Sequence, residues 1–114
     1  MDWQHLLFQF DGRINRAKFW AGVVAVFVVV LIVAIVAVIA NSSAVWTLYA
    51  LVVLLSLWPN LALSIKRWHD RGKTGWWVLI GLVPIIGGLW ALIETGILAG
   101  DEGPNEYGPD PLAS

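Results

Sequence analysis

The chain contains no cysteine, which excludes disulfides, thiolate metal sites and a thiol nucleophile. Its two histidines, His5 and His69, lie in separate segments without a further ligand at metal-binding spacing, so no metal centre and no cofactor are expected. Charge is scarce: 13% of the 114 residues are charged and 59% are hydrophobic, far from the composition of a soluble domain. The scarcity is also uneven. All seven Lys/Arg fall in two stretches, Arg13, Arg16 and Lys18, then Lys66, Arg67, Arg71 and Lys73. Residues 41–43 carry no charge, and residues 101–114 carry four acids and no base. With a net charge of −1, nothing suggests a nucleic-acid partner.

What the chain has instead is three long apolar runs, at 19–40, 45–65 and 76–99. At ~1.5 Å per residue each reaches across a ~30 Å hydrocarbon core. A single segment in lipid satisfies its own backbone only as a helix, whatever its Val and Ile content. The first run is too long for the apolar region of a cleaved signal peptide and is retained as a span. Trp3, Leu6, Leu7 and Phe10 recur at helical spacing, so residues 1–10 form a short amphipathic helix lying in the interface, with Asp2 as its N-cap. Asn15 is placed to cap the first span, and Pro59 to kink the second in its last third. The expected fold is an all-α integral membrane protein of one membrane domain, 1–114: an N-terminal interfacial amphipathic helix, three transmembrane helices and an extended acidic tail, 100–114. The positive-inside rule then puts the N-terminus and the basic loop in the cytoplasm and the first loop and the tail outside, as a multi-pass membrane protein. A re-entrant third segment turning at Pro84 and Gly87-Gly88 is the alternative.

Particular motifs add a resemblance. Phe10-Asp11-Gly12-Arg13-Ile14-Asn15-Arg16-Ala17-Lys18-Phe19-Trp20, Lys66-Arg67-Trp68-His69-Asp70, Gly75-Trp76-Trp77, Pro84-Ile85-Ile86-Gly87 and the Gly103 to Pro111 stretch resemble, in order, the signatures of the bacterial inner-membrane family called Domain of Unknown Function 805. Lys66 and Trp68 stand where that family has Arg and Leu, with similar physical character. The resemblance implies a small inner-membrane protein without an established activity.

Chemistry-bearing residues are few. Gly72-Lys73-Thr74 has Arg67 where a phosphate loop requires glycine, so it is no nucleotide site. His69-Asp70 could be a base with its orienting carboxylate, but no complete catalytic set surrounds it, and no enzyme activity is expected. The structural alternative has Asp70 neutralising Arg67 or Arg13 while His69 bonds backbone. Glu94, the one acid inside an apolar run, lies near the end of its span and is expected to reach the outer interface. Ser56, Asn60 and Ser64, with Glu94, make a polar intramembrane stripe that should face other helices. Arg13, Arg16, Arg67, His69, Asp70 and Arg71 form the candidate site, a cytoplasmic basic face binding anionic lipid headgroups or a protein partner. Membrane lipids and a homo-oligomer or membrane-protein partner are the expected associations. The alternative function is a subunit of a small oligomeric transporter or channel lined by the polar stripe.

Overall fold

The computed structural model of the chain describes residues 2–112 and is helical from its first residues. Helix α1, Trp3–Phe8, starts where the Asp2 carboxylate accepts from the His5 backbone N–H at 3.1 Å. It is shorter than residues 1–10 because the chain is already extended at Gln9. Six residues cannot sustain a helix alone, so its end is held from outside. The Lys66 ammonium donates to the carbonyls of His5 and Leu6, and Trp58 Nε1 donates to that of Phe8 at 2.9 Å. Leu6 meets Ile14, Phe19 and Leu63 in the small buried core.

Helix α2, Arg16–Ala40, is capped by Asn15, whose side chain accepts from Lys18 N at 2.8 Å, and it stops at Asn41 in the left-handed conformation. Helices α3, Ser43–Leu55, and α4, Leu57–Asp70, follow with only Ser56 between them. Pro59 explains the interruption, since it has no N–H to donate to the carbonyl four residues earlier. Among the described residues two helical stretches are long and apolar enough to cross a membrane, Arg16–Ala40 and Ser43–Asp70.

The third apolar run does not become a third such helix. It opens as a tight 3-10 helix, Gly75–Leu82, turns through Val83-Pro84-Ile85, and returns as α5, Ile86–Leu92, continued by a π turn, Ile93–Ile97. At ~1.5 Å per residue the returning arm covers roughly 18 Å, too little to cross a bilayer. Pro84 initiates the turn, and Ile86 N donates to the Pro84 carbonyl at 2.7 Å across Ile85, which sits at φ 64°. A β-branched residue held there costs on the order of 1–3 kcal/mol, which packing of the two arms must offset. The chain comes back to where it started: Asp101 N donates to the Asp70 carbonyl at 2.6 Å. Two expectations are therefore corrected. Residues 76–99 form a hairpin, and the tail lies at the same end of the molecule as Arg13 and the basic loop. Run length and hydropathy could not distinguish a crossing from a return.

Gly87 makes the return possible, because a Cβ there would collide with the Ile80 carbonyl of the opposite arm and the Val83 side chain at the turn. Gly88, next in sequence, has nothing within 4 Å of such a Cβ. Gly87→Ala is expected to destabilise the detergent-solubilised protein by about 1–3 kcal/mol through overpacking. Gly88→Ala should leave the thermal midpoint unchanged or raise it. The reverse order in a thermal melt would contradict the hairpin.

Candidate functional site

The last turn of a helix leaves backbone carbonyls without intrahelical partners. In the returning arm five successive ones, from Thr95 to Ala99, each accept from a side chain on another helix. Arg67 donates to Thr95 O and Leu98 O, Trp20 Nε1 to Gly96 O at 2.7 Å, Arg16 to Ile97 O at 2.8 Å and Arg71 to Ala99 O at 2.7 Å. The donors come from two pairs spaced by four residues, Arg16 with Trp20 on α2 and Arg67 with Arg71 at the end of α4, so each pair shares one helix face. Cations at this position also complement the negative end of the hairpin helix.

Asp70 sits at the centre. Its Oδ1 accepts from Arg13 Nε at 3.0 Å, and its Oδ2 accepts from Arg67. All three side chains are buried. Arg67 has five N–H groups and uses four of them on Thr95, Leu98, Ile14 and Asp70. Arg13 likewise donates to the carbonyls of Asp101 at 2.6 Å, Gly103 at 2.8 Å and Gly108 at 3.2 Å. A buried guanidinium is tolerable only with this degree of satisfaction. Gly100 is required here, since a Cβ would run into the Asp70 carboxylate.

The tail is bound by the same end of α4. His69 Nδ1 donates to the Gly12 carbonyl at 2.9 Å, and its ring stacks on Tyr107 with centroids 4.0 Å apart. Asn105 Nδ2 donates to the His69 carbonyl at 2.9 Å. The Asp110 carboxylate accepts from the backbone N–H groups of Leu112 and Gly103, which hold its pKa below the usual range. Its contribution to tail order is thus complete above the ordinary Asp pKa and is lost only as pH falls through the depressed value.

The sequence-predicted residues separate into groups. Arg13, Arg67, His69 and Asp70 come together as an internal clamp, in the structural role of Asp70 neutralising both arginines and His69 bonding backbone. Arg16 and Lys18 are exposed, and Arg71 is half-buried. Glu94 does not reach an opposite interface. It pairs with Arg71 at 2.8 Å and Lys73 at 3.5 Å, because the hairpin brings it back to the basic loop. It is therefore separated from Ser56, Asn60 and Ser64, which remain on α3–α4, with Asn60 exposed and its Nδ2 donating to the Ser56 carbonyl at 2.9 Å. Trp68 is fully buried and stacks on Trp77 at 5.8 Å. Sequence reasoning passed over Trp20 and Lys66 as donors, although the four-residue spacing of Arg16 with Trp20 and of Arg67 with Arg71 was a usable signal. Beside the clamp lies a cavity of about 280 Å³ bounded in part by Arg16, Asp70 and Gly100.

Replacing Asp70 with Asn removes the only anion between two buried guanidinium groups. The expected loss is about 3–5 kcal/mol, read as a collapse of the thermal midpoint in detergent. Glu94→Gln breaks a partly exposed pair and should cost no more than about 1 kcal/mol. Equal effects of the two substitutions would contradict the central position of Asp70.

Residues 7–109 match the family model described as "Protein of unknown function (DUF805)". Among similar proteins of Escherichia coli strain K12, "Inner membrane protein YhaH" is 30% identical over 121 residues, covering 97% of this chain and 97% of that protein. "Inner membrane protein YhaI" is 34% identical over 102 residues, covering 90% and 85%, and "Uncharacterized protein YiiR" 32% identical over 138 residues, covering 94% and 88%. No solved structure matches the chain. The inner-membrane relatives agree with the two helices of spanning length, and this helical membrane protein belongs to the DUF805 family.

Proposed function

We propose that the chain is a non-enzymatic module of the inner membrane whose basic face holds an anionic lipid headgroup beside the start of α2. The observation that carries this reading is the division of labour among the arginines. Arg13 and Arg67 are buried and committed to the clamp, whereas exposed Arg16 places only Nη1 on a carbonyl. Among the described residues Nε and Nη2 of Arg16 have no hydrogen-bond partner, and the side chain borders the 280 Å³ cavity. A guanidinium fork with an unspent edge suits phosphate. Exposed Lys18, two residues further along and therefore on another side of α2, adds a second cation to the same membrane surface. Each such cation contributes about 1 kcal/mol of attraction to an anionic leaflet.

On this reading both termini are cytoplasmic. The positive-inside rule assigns the basic stretches to that side, and the tail is bonded to Arg13. The transporter or channel alternative has less support, because its one ionisable group, Glu94, is paired with Arg71 and lies apart from the polar stripe.

Native mass spectrometry of the protein released from membranes in mild detergent tests the proposal. The wild type is expected to carry phosphatidylglycerol or cardiolipin, and Arg16→Gln/Lys18→Gln should reduce that adduct roughly thirtyfold, the equivalent of about 2 kcal/mol for two cations. Undiminished anionic lipid on the double variant would contradict it.

A further inference from the structure

Asn60 is a polar group that neither the clamp nor the proposed headgroup site explains. It lies six residues before Lys66 on α4, so at ~1.5 Å per residue it sits roughly 9 Å deeper than the cationic end of that helix, within the hydrocarbon layer. Its side chain is exposed on the surface of the molecule. One amide hydrogen goes to the Ser56 carbonyl at 2.9 Å. Among the described residues no donor reaches its Oδ1 and no acceptor takes its second N–H. Lipid tails cannot supply either, and an unsatisfied amide in an apolar medium is costly. The surroundings are otherwise apolar. Asn60 and Ser56 line a cleft of about 260 Å³ with Val23, Val26, Phe27 and Val30 of α2.

We infer that this cleft is a self-association surface, occupied by the same face of a second copy of the chain. The argument is one of complementarity. A carboxamide carries a donor and an acceptor side by side, so two Asn60 groups related by a two-fold axis complete each other with a reciprocal pair of N–H···O bonds. The remaining contact is made by the apolar α2 residues, with Phe27 exposed enough to enter the facing cleft. Interhelical hydrogen bonds of this kind drive association in membranes, where apolar helices gain nothing from leaving lipid. The inference does not depend on the headgroup proposal, which concerns the opposite requirement of charge at the interface.

Two measurements test it. The first is the dimerisation constant of the full chain in lipid bilayers, read by single-molecule photobleaching across protein-to-lipid ratios. Wild type should dimerise, Asn60→Leu should weaken dimerisation about tenfold, and Asn60→Gln should retain most of it. The second uses the absence of native cysteine. In membranes, oxidation should link Phe27→Cys to itself as a disulfide dimer, while Val28→Cys, about a quarter-turn away on α2, should not link. A monomeric wild type, an Asn60→Leu variant that dimerises as well as wild type, or linkage at Val28→Cys in preference to Phe27→Cys would overturn the proposal. So would a wild type that stays monomeric and retains lipid lost on Asn60→Leu, which would give the cleft to a lipid. Linkage through Phe27→Cys in the otherwise intact chain supports the surface even if Asn60→Leu fails to fold.

Discussion

Five consecutive peptide carbonyls at the end of an apolar hairpin, each taken by a side-chain donor from another helix, are the interaction on which this molecule depends. An apolar segment that turns back on itself leaves terminal carbonyls that have to find partners within the protein. Here α2 and α4 supply them through Arg16, Trp20, Arg67 and Arg71. The arginine–aspartate clamp at this end of the molecule follows from that requirement. Arg67 has to be buried to reach Thr95 and Leu98, so it needs a buried anion, and Asp70 one turn along supplies it. Asp70 has a second oxygen to satisfy, and Arg13 takes it from the segment before α2. The remaining donors of Arg13 then gather the tail carbonyls.

The arrangement explains why so little of the apolar surface is internal. Of the best spanning window in Arg16–Ala40 only 6% is buried within the chain. The elements are held together mainly at one end, by directional bonds between side chains and backbone, while α2 and α3 run outward with their large apolar residues exposed. Such a molecule relies on lipid, or on further protein, to cover its shaft. Loss of the clamp is accordingly far more serious than loss of any one apolar contact, because each buried guanidinium left unpaired carries its full desolvation cost.

Much of this was readable from the residues, and the failures have physical causes. The caps at Asp2 and Asn15 were legible because a capping side chain acts within three residues of its own position. The first two spans were legible from length and hydropathy. The third apolar run admits both the expected crossing and its re-entrant alternative, because a hairpin and a span can have the same composition, and a tail without basic residues fits either side of the membrane. The position of Glu94 depends on that choice, since its distance from the basic loop is short in space and long in sequence. Residue type alone does not separate a tryptophan at the membrane surface from one committed to the protein, and here Trp20 bonds Gly96 while Trp68 is packed on Trp77. Asp70 bonded to both arginines and His69 bonded to the Gly12 carbonyl are contacts that their residue types allow, but the partners, far apart in sequence, are visible only in the fold.

The most direct test of this account is the side of the membrane on which the chain emerges after the hairpin. With no native cysteine, Glu102→Cys and Ser43→Cys each place a single thiol, at the exposed start of the tail and at the exposed start of α3. A membrane-impermeant maleimide applied to intact spheroplasts should label Ser43→Cys and should reach Glu102→Cys only after lysis. Labelling of Glu102→Cys in intact spheroplasts would mean that residues 76–99 cross the bilayer, and the carbonyl clasp could not then exist.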